Sequence, residues 1–211
     1  EKKIFEPFKV KDIVFMALLS AVALCTASVM AIVAHIYIYG LAQLVTAFQF
    51  AFFSSIALMK VRKVGTLFIF GLFTGLFELF MAPVMFISSV LTALLLECIV
   101  VLLFRNYKNS LLPVFIASAL IIPATMPFNL LYYRLFSQEM WDLFFASGFK
   151  VLSIVFILGS VLVGSLGSLL GIKVSNELLI ISVAPSTYLS LSGENKKTGL
   201  FTYACSNIPL E

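Results

Sequence analysis

The chain has 211 residues, of which 62% are apolar and 11% charged, with a mean hydropathy of +1.11 and a net charge of +4. A soluble domain is about 25% charged, and so little polar surface does not cover a water-soluble globule. A soluble enzyme, a nucleic-acid-binding module and a disordered regulator are therefore excluded, and an all-α integral membrane protein is expected.

A helix needs roughly 20 apolar residues to cross a hydrocarbon core of about 30 Å. In chain order this predicts six transmembrane helices, Ile13–Val33, Leu41–Met59, Val64–Met81, Phe86–Phe104, Leu111–Leu131 and Phe149–Leu170. None has the ten-residue alternation of a barrel strand. Basic residues in short loops set the orientation. Lys2, Lys3, Lys9 and Lys11 precede the first span, and Lys60, Arg62 and Lys63 join the second to the third. Arg105 and Lys108 join the fourth to the fifth, and Lys173 follows the sixth. The opposite loops carry only Arg134, with Lys150 just inside the sixth span. Both termini are accordingly expected in the cytoplasm. Residues 1–173 form the membrane domain, and 174–211 read as a cytoplasmic C-terminal tail or a cloning-derived extension. The longest outward connection, Tyr132–Gly148, contains Trp141 and reads as a short helix lying in the interface.

Small residues repeat at helical spacing in two spans. Ala17 and Ala21, and again Ala23 and Ala27, lie four apart in the first span; Ser160, Gly164 and Ser168, with Gly167 and Gly171 close by, mark the sixth. Such faces let another helix approach closely in lipid. Either internal packing or docking of a partner subunit satisfies them.

Two carboxylates interrupt apolar runs. Carboxylates in a membrane face the bundle interior or a wet cavity. Glu97 reads as a hydrogen-bonded structural group; for Glu78, near the outer end of the third span, a structural and a ligand-binding role are evenly balanced. His35, Tyr37, Asn129, Tyr133 and Lys150 fall at the same outer depth as Glu78, and an aromatic-rich cluster with a few polar groups suits a small-molecule site. Pro127 is expected to end the fifth span there. The three cysteines, Cys25, Cys98 and Cys205, lack CxxC spacing, and no metal site or cofactor is expected. The sequence has no GxxxxGK[ST], HExxH or GxSxG, so neither ATP hydrolysis nor hydrolase chemistry of its own is expected, and the chain is not read as an enzyme.

Six short spans, cytoplasmic termini and the Ala17/Ala21 pair resemble the substrate-binding S component of energy-coupling factor (ECF) transporters over about residues 10–172. The run Gly65-Thr-Leu-Phe-Ile-Phe-Gly71-Leu-Phe-Thr-Gly75, followed by Leu95-Leu96-Glu97, is similar to the MptD-type branch of that family. The resemblance implies a multi-pass protein of a prokaryotic cell membrane that captures a vitamin or related micronutrient from outside. It also implies partners: a membrane coupling protein and two cytoplasmic ATPase subunits, with Ala17 and Ala21 on the docking face. A flat tetrapyrrole such as haem is compatible with the aromatic outer side, with His35 or a tyrosine as a metal ligand. The alternative from a different class is a non-transporting membrane scaffold or assembly protein that only docks partner helices.

Overall fold

The computed structural model describes residues 7–27, 41–80, 82–105, 107, 110–145 and 149–194, with side chains 41–43, 140, 143–145, 149–153 and 179–194 left out of the description. The chain divides into two compact units, Glu1–Asn176 and Glu177–Glu211, and the packing below is that of the first. Every described element is helical: α1 (Val10–Ala27), α2 (Leu41–Val61), α3 (Thr66–Glu78), α4 (Pro83–Phe104), α5 (Leu112–Ala119), a 3₁₀ turn (Pro123–Thr125), α6 (Met126–Phe136), α7 (Gln138–Phe145) and α8 (Phe149–Glu194).

Polarity is distributed inside out. Among the described residues thirteen polar side chains are buried, including Ser20, Gln49, Ser54, Thr74, Thr92 and Ser168, while Leu18, Leu102, Leu103, Leu158, Leu162 and Leu166 are each more than half exposed. In water that arrangement forfeits the hydrophobic effect on both counts. In hydrocarbon it is favourable, because the exposed leucines meet acyl chains and the hydroxyls bond back to helix carbonyls, as Ser20 does to Met16 at 2.8 Å.

Among the described residues four helices are long and apolar enough to cross a membrane: α1, α2, α4 and the Ile154–Leu178 part of α8. A fifth crossing results if α5 and residues Pro123–Phe136, bent by 55° at the intervening break, count as one. Two of the six expected spans take a different form. The third segment is a helix of 13 residues rather than the 18 of Val64–Met81, and the fifth is broken. Pro123 and Pro127 explain the break. Each lacks the N–H that a continuous helix needs, and both stand in the first turn of the element they begin. Pro127 thus opens α6 instead of ending the fifth span. At the other end of the unit, α8 runs on as helix to Glu194, past the expected end at Leu170.

The centre of the bundle is α2, with 61% of its span buried against 17% for α1. It packs on α1, α3 and α5, and its residues Ala47, Phe50, Leu58 and Met59 join Leu67, Leu96, Val100 and Val114 in the apolar core. The small-residue stripe of α8 fits against it. A Cβ added at Gly167 would lie 2.3 Å from the Phe48 carbonyl oxygen, and one at Gly171 2.5 Å from that of Phe52. On the neighbouring face, a Cβ at Gly164 would lie 2.8 Å from the Ala119 oxygen, and Ser168 meets Ser118 at 2.6 Å. Ala119 is the residue whose carbonyl would have been served by the N–H missing from Pro123. The stripe on α8 therefore serves internal packing, the plainer of its two alternatives.

Candidate functional site

The tightest helix pair is α3 with α4, an antiparallel hairpin turning just before Pro83. Residues equidistant from the turn face one another. A Cβ on Gly71 would lie 2.5 Å from the Ala93 Cβ, and one on Gly75 would lie 3.3 Å from the Phe86 ring and 3.4 Å from Val90. Two glycines on one face thus bring the backbones together.

Each end of α3 is tied to α4 by a carboxylate. At its start, the N-cap residue Gly65 adopts φ +96°, which glycine tolerates, but offers no side chain to bond the first N–H groups. Glu97 of α4 does so instead. Its Oε1 accepts the Gly65 N–H at 2.7 Å, and its Oε2 accepts those of Leu67 at 3.0 Å and Phe68 at 3.4 Å. The negative group also meets the positive end of the helix dipole. Glu97 is the structural carboxyl expected from the sequence. At the far end, the Glu78 carboxylate accepts a short hydrogen bond from the Ser89 hydroxyl of α4.

The Glu97 end holds further polar structure. Lys63 pairs with Asp12 at 2.8 Å, donates to the Pro7 carbonyl at 2.9 Å and lies 5.6 Å from the centre of the Phe8 ring. Tyr107 is wholly buried, with its hydroxyl beside the Glu97 carboxylate. Burial, reinforced by the neighbouring carboxylate, holds this phenol far above its usual range, so it stays neutral.

The Glu78 end carries the other expected site residues that the structure describes. Ser89 lies six residues into α4, so the Glu78–Ser89 pair sits about 9 Å below the Pro83 end of that helix, at 1.5 Å per residue. The Thr92 hydroxyl donates to the Ala124 carbonyl at 3.2 Å, which fixes the broken segment within one turn of Ser89 along α4. From that break, α6 carries Asn129 and Tyr133 one turn apart and both half-buried, and it packs on α4. Glu78 and the Asn129/Tyr133 pair therefore flank the same half of α4. Tyr132 stacks edge-on to Tyr133 at 6.2 Å and tilts against Phe136 at 4.8 Å, and the Arg134 guanidinium lies 5.5 Å from the Trp141 ring centre. His35 and Tyr37 lie outside the described residues, as does the side chain of Lys150.

Sequence reasoning missed Ser89, Tyr107 and Gln49. The hairpin symmetry about Pro83 would have paired Ser89 with Glu78. Gln49 is a lone amide in an apolar span; it donates to the Ala23 carbonyl and, at 2.6 Å, to the Thr26 hydroxyl, joining α2 to α1. This settles how α1 divides its two small-residue faces. Met16, Ser20 and Ala23 are buried, whereas Ala17 and Ala21 lie to one side, half-buried, next to the exposed Val14, Leu18 and Val22.

Among the described residues no three His, Cys, Asp or Glu side chains gather as a metal-binding group. No curated protein and no solved structure matches the chain. The inside-out polarity and the apolar helices agree with what the sequence comparison finds: residues 10–179 match the model of the Trep_Strep family, and the chain belongs to that family, described as hypothetical bacterial integral membrane proteins.

Proposed function

We propose that this protein is the substrate-binding membrane subunit of an ECF-type importer, which captures a vitamin or related micronutrient at its outer face. The observation that carries this reading is the Glu78–Ser89 pair, set about 9 Å below the Pro83 end of α4 and level with the break that starts α6. Polar groups held at depth in a lipid-facing bundle mark a solute path, and a broken helix opens backbone toward it. In this reading the bundle crosses the membrane with both termini in the cytoplasm, since the Lys60–Lys63 and Arg105 turns lie at the opposite end from Glu78. α3 contributes a wall of the bundle without a full crossing of its own. His35, Tyr37, Asn129, Tyr133 and Lys150 complete the site around Glu78.

The chain is not an enzyme in this scheme. Its sequence has no phosphate-binding loop, so the driving force comes from two partner ATPases through a membrane coupling protein. The Ala17/Ala21 face of α1 is the dock, because the packing of α1 uses Met16, Ser20 and Ala23 instead.

The test is affinity purification of the full chain co-expressed with the membrane coupling protein and ATPase pair of its own bacterium. Co-elution of all three partners is expected. Replacing Ala17 and Ala21 together by Leu lowers their recovery about ten-fold, a loss of about 1.4 kcal/mol, while Glu78→Gln leaves it unchanged. A chain that elutes without the ATPases overturns the importer reading; if it instead carries other membrane proteins along, it is a scaffold or assembly factor.

A further inference from the structure

We infer that Gln49 and Lys63 are positioning residues for α1: they clasp it to the bundle at two points on one of its faces and so fix which way Ala17 and Ala21 are turned. The inference rests on the importer reading, in which those alanines are the dock, and adds what holds the dock in place.

α1 is the least buried of the four long spans, and two of its three buried residues, Ser20 and Ala23, are small. Apolar contact does little to retain such a helix, because acyl chains offer the same contact. Polar bonds between helices do retain it, since the groups that make them find no water in hydrocarbon. A clasp of that kind stands near each end of α1. At its start, the Lys63 ammonium, from the turn between α2 and α3, meets Asp12 at 2.8 Å and the Pro7 carbonyl at 2.9 Å. Beside it, a Cβ on Gly65 would lie 3.3 Å from the Phe8 ring, and the Lys9 N–H donates to Asp12 at 3.2 Å. Toward the other end, the Gln49 amide of α2 donates to the Ala23 carbonyl and, at 2.6 Å, to the Thr26 hydroxyl. Thr26 gives its own proton to carbonyls of α1, which leaves its oxygen to accept. Ser20, between the clasps, bonds back to Met16 within α1.

The two clasps share a face. Eleven residues separate Asp12 from Ala23, about three full turns, so the anchor points return to within about 20° of one another. They stand about 16 Å apart along the axis. Two points on one face fix the rotation of a helix about its axis as well as its tilt. Ala17 and Ala21 fall between the clasps in sequence and about 130–170° around from them. A roll of about 100° would put Leu18 and Val22 where the two alanines stand. Those larger side chains keep a second helix from approaching closely.

The test reads α1 directly and the dock separately. Spin labels at two exposed positions, Leu18→Cys on α1 and Leu94→Cys on α4, in a background with Cys25, Cys98 and Cys205 changed to alanine, give the α1–α4 distance in the full chain by pulsed EPR. Gln49→Leu and Lys63→Ala are each expected to widen that distance distribution about two-fold. In unlabelled protein each lowers recovery of the coupling protein and ATPases about five-fold. Exchanging the charges, Asp12→Lys with Lys63→Asp, remakes the ion pair and restores most of both readouts, which neither single change does. Ser118→Ala breaks a hydroxyl pair between α5 and α8. It lowers thermal stability without moving the distance or the recovery, which separates positioning from stability. An unwidened distance in folded Gln49→Leu, or a widened one with full partner recovery, overturns the inference. If Gln49→Leu does not elute as a monodisperse protein, the Asp12/Lys63 exchange decides. If the unaltered chain captures no ATPases, the importer reading falls while a widened distance still assigns the clasps; captured ATPases with an unwidened distance do the reverse.

Discussion

At the scale of single residues, Glu97 and Tyr107 make a contrasting pair. Glu97 gives three orphan backbone donors their acceptor, so its removal exposes the start of α3 to hydrocarbon with nothing to bond. Glu97→Ala is expected to destabilise the protein by about 2–3 kcal/mol, and Glu97→Gln, which keeps one acceptor oxygen, by about half of that. Tyr107→Phe removes a buried hydroxyl beside Glu97 but leaves that carboxylate its three backbone donors, and is expected to cost no more than about 1 kcal/mol. Thermal unfolding of the three variants in one detergent checks the ranking, and a larger loss in Tyr107→Phe than in Glu97→Gln would contradict it. The structural role of Glu97 was legible in the sequence as a type of role, because a carboxylate inside an apolar span needs donors. Its partners were not, since Gly65, Leu67 and Phe68 offer backbone N–H groups, and a side-chain sequence carries no mark for those.

At the scale of elements, hydropathy located the apolar helices among the described residues and misjudged where some of them stop. It averages side chains and does not register backbone hydrogen bonding, so it ran the third segment on to Met81 although α3 ends at Glu78. It also passed through Pro123, where the missing N–H breaks the ladder. The small-residue stripes were visible as spacing, but spacing alone does not say which neighbour fills them. The contacts of Gly167 and Gly171 with α2 backbone do. Gly167→Ala and Gly171→Ala are each expected to push α2 and α8 apart and to cost about 1–3 kcal/mol. Gly159→Ala meets only the end of the Leu44 side chain at 3.1 Å, which can move aside, and is expected to change stability by no more than about 0.5 kcal/mol. The same unfolding assay separates the two classes.

At the scale of the whole molecule, the proposed orientation of the basic turns has a direct test. Lys60, exposed in the last turn of α2, replaced by cysteine in a background with Cys25, Cys98 and Cys205 changed to alanine, is expected to resist an impermeant maleimide in intact cells and to react in inverted vesicles. Reaction in intact cells would reverse the topology and place Glu78 on the inner side. Among the described residues two arginines at the same basic end take positive φ, Arg62 (48°) and Arg105 (62°). Glycine is the usual occupant of that conformation after a helix. Arginine bears a cost of about 1–2 kcal/mol there and returns a positive charge beside the negative helix end. That exchange was not legible in the sequence, where both arginines count only as loop charges.

The brevity of α3 also bears on electrical behaviour. At 1.5 Å per residue its 13 residues measure about 20 Å, roughly two-thirds of an ordinary hydrocarbon thickness. A cell's resting voltage drops only where insulation lies between the two salt solutions, so along this wall the gradient is steeper than in the surrounding lipid. A charge carried from one pole of α3 to the other would cross nearly the whole potential, worth about 2.3 kcal/mol per 100 mV.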